Sequence, residues 1–502
     1  MDTLASYDEL PYDSLPLPET QPDVLAAIAR LHGFDAAEPS CARILELGCA
    51  QGGNLIPLAS RWPQSECVGV ELSRVQAQAG ADFIRRAGLA NARIVHGDLA
   101  ALPDDLGAFD YIIAHGVYSW VPPEVRGALL EVCRRHLSTN GIAYVSFNVV
   151  AGWERLLPLR QALLTRTDAG LPAPARYRQA LAVLHALETE WTDPVLLKEI
   201  AYLKAAAPSY LFHEYLATFN VPMHFADFAQ ALDAHGLRYV GEAGPRCAVV
   251  ELEETWGLSS EGMTARWLEA EAALDDALGT RFRRALVCRD DSARVPQPPQ
   301  VEALVSLAFY ADLSSDEEID LEAETEQYFA DPAGNRFPVG HPLMKAAAMA
   351  LSAAYPHALS YEELAAAARE VRAEFAHATA FDESGLRDAL FPLAMLHGVM
   401  PTVWPGPSAA APGERPRAHE LARLQAAVPT WIPSGVRHTA MDVDRAGRAL
   451  LTMLDGTRTI DELVAAMAAE LADAGVILSP EAVAELTHRQ LWLFARQGLL
   501  MD

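Results

Sequence analysis

Short apolar runs alternate with amphipathic stretches through the first half of the chain. Arg43–Leu47, Cys67–Glu71, Ala92–Asp98, Phe109–His115 and Gly141–Asn148 read as strands. Their apolar residues come in unbroken runs, as strands covered on both faces require. Between them the spacing predicts helices over Asn54–Trp62, 73–87 and 122–137. The last is well marked: Val125, Leu129, Val132, Cys133 and Leu137 keep to one stripe, prolines start it and Asn140–Gly141 is expected to stop it. This alternation predicts an α/β, doubly wound, Rossmann-like sheet. From Trp153 to about Phe225 the pattern is helical with proline breaks, longer than a crossover needs, so a helical insertion is expected over about 154–225. A helix at 224–235, strands at 237–242 and Ala248–Leu252, and a last strand, Ala285–Arg289, forming an antiparallel edge, complete the sheet.

Pro296–Pro299 reads as a linker. An acidic run, Asp312–Glu326, and a hairpin around Asp331–Gly334 follow, and then two units of similar plan. One has helices near 342–354, 361–372 and 383–397 with a short strand, Val399–Trp404; the other has helices near 444–454, 460–473 and 479–497. Helix, helix, helix and wing describe winged-helix-like α+β domains. The expected organisation is therefore 1–294, 295–408 and 409–502. Before the first strand, Tyr7–Pro22 is too proline-rich for a helix and should lie extended as a lid, leading into a helix over Pro22–Leu31.

With 502 residues the chain exceeds a single core. Its net charge of −28 opposes phosphate-rich partners, and the third helices of the two distal units carry only Arg387, and Arg489 with Arg496, so nucleic-acid binding is not expected. Docking of a protein or peptide, or a homodimer, is the better reading of those units, and a plain structural cap stands equally beside it. Six scattered cysteines, with no CxxC pair, read as reduced thiols of a cytoplasmic protein. No signal peptide and no membrane-spanning apolar run are apparent.

The chemistry begins at Arg43–Asn54, where a strand runs into a turn containing Gly48, Gly52 and Gly53 and then a helix, the plan of a nucleotide-cofactor loop. Ala50 stands where a dinucleotide fingerprint has its second glycine. Glu46, Glu71 and Asp98 each end, or nearly end, one of three successive strands. Three carboxylates suit S-adenosylmethionine, with its sulfonium and amino group, better than a pyrophosphate-bearing dinucleotide. Methyl transfer needs no metal. It needs an acceptor held close and aligned. His115, Tyr118 and Asn148 are candidates to orient an amine, and Trp120 and Trp153 to form an aromatic wall. A histidine at a strand end also serves simply as a backbone cap, and Trp120 as packing.

These residues resemble a known family, the bacterial class I protein lysine methyltransferases with a methyltransferase regulatory domain, among them rickettsial enzymes acting on outer-membrane protein B. The resemblance rests on Pro11–Tyr12 with Thr20–Asp23, Leu45–Pro57, Val68–Ser73, Tyr111–Pro122, Asn140–Tyr144, Phe212–Leu216, His235–Tyr239 with Gly241–Ala243, and Arg281–Cys288. It implies S-adenosylmethionine as cofactor and a protein or peptide lysine as acceptor. With the loop it marks Tyr12, Thr20, Glu46, Gly48, Cys49, Ala50, Gly52, Asn54, Glu71, Leu72, Gly97, Asp98, Leu99, His115 and Gly116 as the cofactor set. One departure stands at Phe147–Trp153, where the family has a tyrosine at the first position and a proline before the glycine. It bears on the acceptor more than the cofactor. Two alternatives remain open at this stage: a peptide or natural-product tailoring methyltransferase that uses 409–502 for docking, and a cofactor-binding regulator without catalysis.

Overall fold

The structure, a computed structural model, describes residues 9–11, 13–103, 106–244, 246, 266–375, 383–396, 398–406 and 411–501. Tyr12 and the expected strand at 248–252 lie outside the described residues.

Among the described residues seven strands form the central sheet: β1 (Arg43–Leu47), β2 (Glu66–Glu71), β3 (Ala92–His96), β4 (Phe109–Ala114), β5 (Leu137–Asn148), β6 (Leu237–Glu242) and β7 (Phe282–Arg289). Their order is β3-β2-β1-β4-β5-β7-β6. The first five pair in parallel, and β7 runs antiparallel to both of its neighbours. Two expectations are corrected here. The last strand is interior, with β6 at the edge, as suits a run in which Ala285, Leu286, Val287 and Cys288 are all fully buried. The helix Pro123–His136 also stops before Asn140–Gly141, which lies inside β5 at a register irregularity. There Gly141 lets the backbone pass the Phe109 carbonyl, 2.9 Å from where a Cβ would sit.

The helix Pro22–Leu31 is apolar nearly all round because it is covered nearly all round. Val24, Leu25 and Ile28 pack with the sheet, while Ala27 and Leu31 join the core of the middle unit with Leu304, Phe309 and Leu351. Its buried Asp23 accepts a hydrogen bond from Thr402 Oγ1 at 2.8 Å. The middle unit sets helices Pro342–Ala354, Tyr361–Phe375 and Glu383–Leu396 against a three-stranded sheet made of Leu359–Ser360, Ala308–Tyr310 and Met400–Thr402. The expected hairpin forms between Gln327–Ala330 and Arg336–Val339.

The C-terminal unit has helices Arg445–Met453, Ile460–Asp473 and Pro480–Arg496, as expected, and a further helix, Glu420–Ala426, that the pattern did not reveal. Instead of a long wing, Arg417–Ala418 pairs with Leu500–Met501. Its Trp431 stacks on Phe83 of the sheet domain, 3.8 Å between centroids. The insertion after β5 builds its own core from Trp153, Leu159, Leu163, Leu184, Ile200 and Tyr215.

One buried charge cluster ties the β7 side together. The Arg283 guanidinium, wholly buried, donates to Glu242 Oε1 at 2.7 Å, Glu271 Oε2 at 3.0 Å and Asp275 Oδ2 at 2.9 Å, and lies 4.1 Å over the Phe225 ring. Removing the cation takes the buried guanidinium from all three carboxylates, leaving Arg246 on Asp275, Arg284 N on Glu242 and Trp267 Nε1 on Glu271. Arg283→Met should therefore lower the unfolding free energy by about 3–5 kcal/mol in denaturant titrations. A change within about 0.5 kcal/mol, as at an ordinary surface position, would show that the cluster is not held as described.

Candidate active site

β1 delivers its chain into a turn in which Gly48, Ala50 and Gly52 all take positive φ, at +72°, +51° and +85°. A Cβ on Gly48 would meet Val117 Cγ2 at 2.8 Å, so only glycine keeps this backbone against the loop after β4. Ala50 occupies the left-handed region despite its Cβ. Its N–H donates to Glu71 Oε2 at 2.9 Å, and Ser73 N donates to Glu71 Oε1 at 2.7 Å. Glu71 thus holds the loop as well as standing at the end of β2, where a ribose would lie. Gly97 N donates to the Glu71 carbonyl at 2.9 Å. Asp98 is exposed and caps the turn Leu99–Ala101 through Ala100 N, and Leu72, just after β2, is exposed as well. The buried Cys49 sulfur packs where a Cβ on Gly69 would fall, and burial pushes its thiol well up, so its part is packing.

Glu46 is the unusual member. It is buried, its Oε1 accepts from Asn54 Nδ2 at 3.1 Å and its Oε2 has no partner. Burial, only partly offset by Asn54 and reinforced by Glu71, pushes its pKa up to about 8. Asn54 itself is a junction. Its Oδ1 accepts from Leu17 N at 2.9 Å, Thr20 Oγ1 at 3.0 Å and His438 Nε2 at 2.7 Å.

Residues 13–17 form a strap over this edge without regular secondary structure, Pro18–Thr20 makes a 3-10 turn where extended chain was expected, and the tyrosines expected of a lid, Tyr7 and Tyr12, lie outside the described residues. The strap is tied at both ends. Glu9 accepts from Ala173 N at 2.7 Å, and the Leu10 carbonyl lies 2.6 Å from His213 Nε2 in the helical insertion. At the other end Glu19 pairs with Arg284 of β7 at 2.8 Å. Midway it lies so close that a Cβ on Gly53 would fall 1.9 Å from the Ser14 carbonyl, and Gly53 N donates to Ser14 Oγ at 2.7 Å.

His115 directly follows β4 and Asn148 ends the neighbouring β5, where Ala114 pairs with Val145 and Gly116 N donates to Ser146 Oγ at 2.8 Å. The Arg284 guanidinium donates to the Tyr144 hydroxyl, which sits 2.9 Å from His115 Nδ1. Burial holds His115 down at about 4, so its imidazole is neutral. Asn148 Nδ2 donates to Asn220 Oδ1 at 2.9 Å, and Trp153 lies against Tyr215, 5.4 Å between centroids, with Arg281 5.6 Å over its ring. Tyr118 is buried against Phe147 and Phe228, Trp120 is buried in the same loop, and Ser119 Oγ between them accepts from Asn148 N at 2.8 Å.

The polar group that sequence reasoning missed is Glu214, in the turn Phe212–Leu216. It is buried, Asn148 hydrogen-bonds its carboxylate, and burial outweighs Asn148, Arg281 and Arg160 to push it up to about 7. The signal was present in the quoted Phe212–Leu216 motif, where a glutamate sits among aromatic residues. Only the folded insertion brings it to Asn148.

The residues fit S-adenosylmethionine. An unpartnered, buried carboxylate oxygen at the end of β1 awaits a cation, and Gly116, just after β4, faces open space where a Cβ would sit. The comparisons agree. Residues 44–141 match the family described as "Methyltransferase domain", residues 207–289 "Predicted methyltransferase regulatory domain", and residues 414–491 "PKMT, C-terminal winged helix domain". Protein RP789 of Rickettsia prowazekii, described as uncharacterized, is 35% identical over 300 residues, a match spanning 57% of this chain and 53% of that one, about half its length. Protein RP028 of the same organism, also described as uncharacterized, is 34% identical over 231 residues, 45% of this chain and 92% of that one. The structure of PKMT2 from Rickettsia typhi in complex with AdoHcy superposes with a TM-score of 0.83 at 22% identity, covering 98% of this chain and 100% of that one, and shows a shared fold. Among the described residues no helix is long and apolar enough to cross a membrane. The sheet domain is thus an S-adenosylmethionine-dependent methyltransferase domain of Rossmann-like fold, its β6 and β7 lying within the methyltransferase regulatory match and a PKMT C-terminal winged helix domain following, and the chain belongs to the same family as protein RP028.

Proposed function

We propose that the protein N-methylates lysine side chains of a protein substrate. The observation that carries this reading is the buried Glu214 carboxyl beside Asn148, at the same sheet edge as the glycine loop, with the Trp153–Tyr215 aromatic pair close by. The name PKMT borne by the matching C-terminal domain family and by the Rickettsia typhi structure supports it.

A lysine amine, with a pKa near 10.4, is only about 0.04% neutral at pH 7. The site must take its proton. S-adenosylmethionine, when bound, supplies the electrophilic methyl group; Glu46, Gly48 and Glu71 are the residues proposed to hold it. Glu214, ionised above about 7, attracts the ammonium and accepts its proton. Asn148 keeps that carboxylate oriented, and Trp153 with Tyr215 packs along the lysine stem and excludes water. The neutral His115, braced by Tyr144, lines the passage between donor and acceptor without adding a repelling charge. No observation favours a tailoring reading: the C-terminal unit is packed onto the sheet domain through Trp431 and His438.

Incubation with methyl-labelled cofactor and a panel of bacterial surface and cytoplasmic proteins should place label on lysine, read by mass spectrometry; label confined to other acceptors would sink the reading. Gly48→Val forces a Cβ both into left-handed backbone and against Val117, so titration calorimetry should show S-adenosylhomocysteine bound about tenfold or more weakly. Glu214 is protonated and uncharged below about 7 and anionic above it, so wild-type kcat/KM should climb through that pH. In Glu214→Gln this limb should vanish, leaving only the rise due to the substrate amine; an unchanged profile would remove Glu214 from the site.

A further inference from the structure

His438 belongs to the C-terminal unit, 384 residues from Asn54 along the chain, yet its Nε2 lies 2.7 Å from Asn54 Oδ1. The asparagine's orientation is set by its other bonds. Nδ2 donates to Glu46, so Oδ1 is an acceptor for Leu17 N, Thr20 Oγ1 and the imidazole, and Nε2 of His438 must carry the hydrogen. The ring is wholly buried and its Nδ1 has no partner. His438 also takes a positive φ of 58°, which few residues other than glycine and asparagine adopt.

The turn that carries it is wedged among all three units. His438 N donates to the Gly435 carbonyl at 2.9 Å, and a Cβ on Gly435 would fall 1.9 Å from the Gln497 carbonyl that backs the turn. The Arg437 carbonyl accepts from Gln21 Nε2 at 3.1 Å, just ahead of the helix Pro22–Leu31. The Arg437 guanidinium, buried over the Tyr310 ring, donates to the Pro356 carbonyl at 2.7 Å and to the Trp404 and Pro405 carbonyls of the middle unit. Arg61, at the end of the helix that follows the glycine loop, donates to the Gly435 carbonyl at 3.4 Å and bonds Gln21.

We propose that the 435–438 turn is a latch on the cofactor site: His438 is a positioning residue that orients the Asn54 amide, and through it Glu46 and the strap at Leu17–Thr20. Cofactor affinity then depends on how the C-terminal unit is seated, and by linkage the bound cofactor holds that unit in place. This rests on the reading of the glycine loop as an S-adenosylmethionine site. The winged helix becomes a control element for the methyl donor.

Calorimetry with S-adenosylhomocysteine on the full chain tests it, comparing wild type with His438→Leu and His438→Gln. Both variants meet the same backbone strain, and only glutamine retains an N–H that reaches Asn54. Leucine removes the donor that ties Asn54 Oδ1 to the C-terminal unit and leaves only the strap's Leu17 N and Thr20 Oγ1 on it, so Kd should rise about tenfold or more, while glutamine should stay within about threefold of wild type. Hydrogen exchange on wild type gives a readout independent of any variant: S-adenosylhomocysteine should slow the amides of 435–441. Absence of that protection, or wild-type affinity in a folded His438→Leu, overturns the latch. Failure of wild type to bind S-adenosylhomocysteine at all overturns the cofactor assignment instead.

Discussion

A single buried amide holds the donor side of this protein together. Asn54 gives its two faces to different parts of the chain: its nitrogen to the Glu46 carboxylate of β1, its oxygen to the strap and to the C-terminal unit. A buried amide held in this way has one low-energy orientation, because turning it over would set its nitrogen against the Leu17 N–H, a donor that cannot reverse. The glycine turn has little bulk of its own to fix its shape. It takes that shape from Asn54 on one side and from Glu71, which grips Ala50 and Ser73, on the other.

Two buried carboxylates mark the two halves of the reaction edge. Burial pushes Glu46 up to about 8 and Glu214 up to about 7, in each case against hydrogen bonds that favour the ionised form. A carboxylate desolvated in this way attracts cations. The donor carries a sulfonium and an ammonium, and a lysine acceptor arrives as an ammonium, so one device serves both sides. The neutral His115 between β1 and β5 keeps the edge free of opposing charge.

The parallel strands were legible because residues buried on both faces leave an unbroken apolar signature, and the loop because only glycine-rich backbone makes such a turn. The strap was legible from its prolines. What the pattern hid has a physical cause in each case. Ala285–Cys288 is as apolar as any inner strand, but nothing local says which neighbours it pairs with, so the order β5-β7-β6 had to come from the fold. Asn140–Gly141 is a stop signal for a helix and equally a bulge within a strand; β5 uses it as the second. Tyr118 shares a polar-looking loop with His115, yet its ring packs against Phe147 and Phe228, and Glu214 comes from a π-helical segment 66 residues beyond Asn148.

By itself, then, the chain's sequence determined a methyltransferase sheet with its glycine turn and the carboxylates that follow successive strands, since these depend on local periodicity and on residues close to one another along the chain. It also determined that two small helical units follow. Only the tertiary structure decided that Glu214 meets Asn148, that β7 is interior, and that His438 reaches Asn54. These are contacts between segments tens to hundreds of residues apart, made by side chains whose types are common everywhere, so no local pattern encodes them. Their specificity lies in burial: a polar group carried into the interior must find its partner, and the fold determines which one it finds.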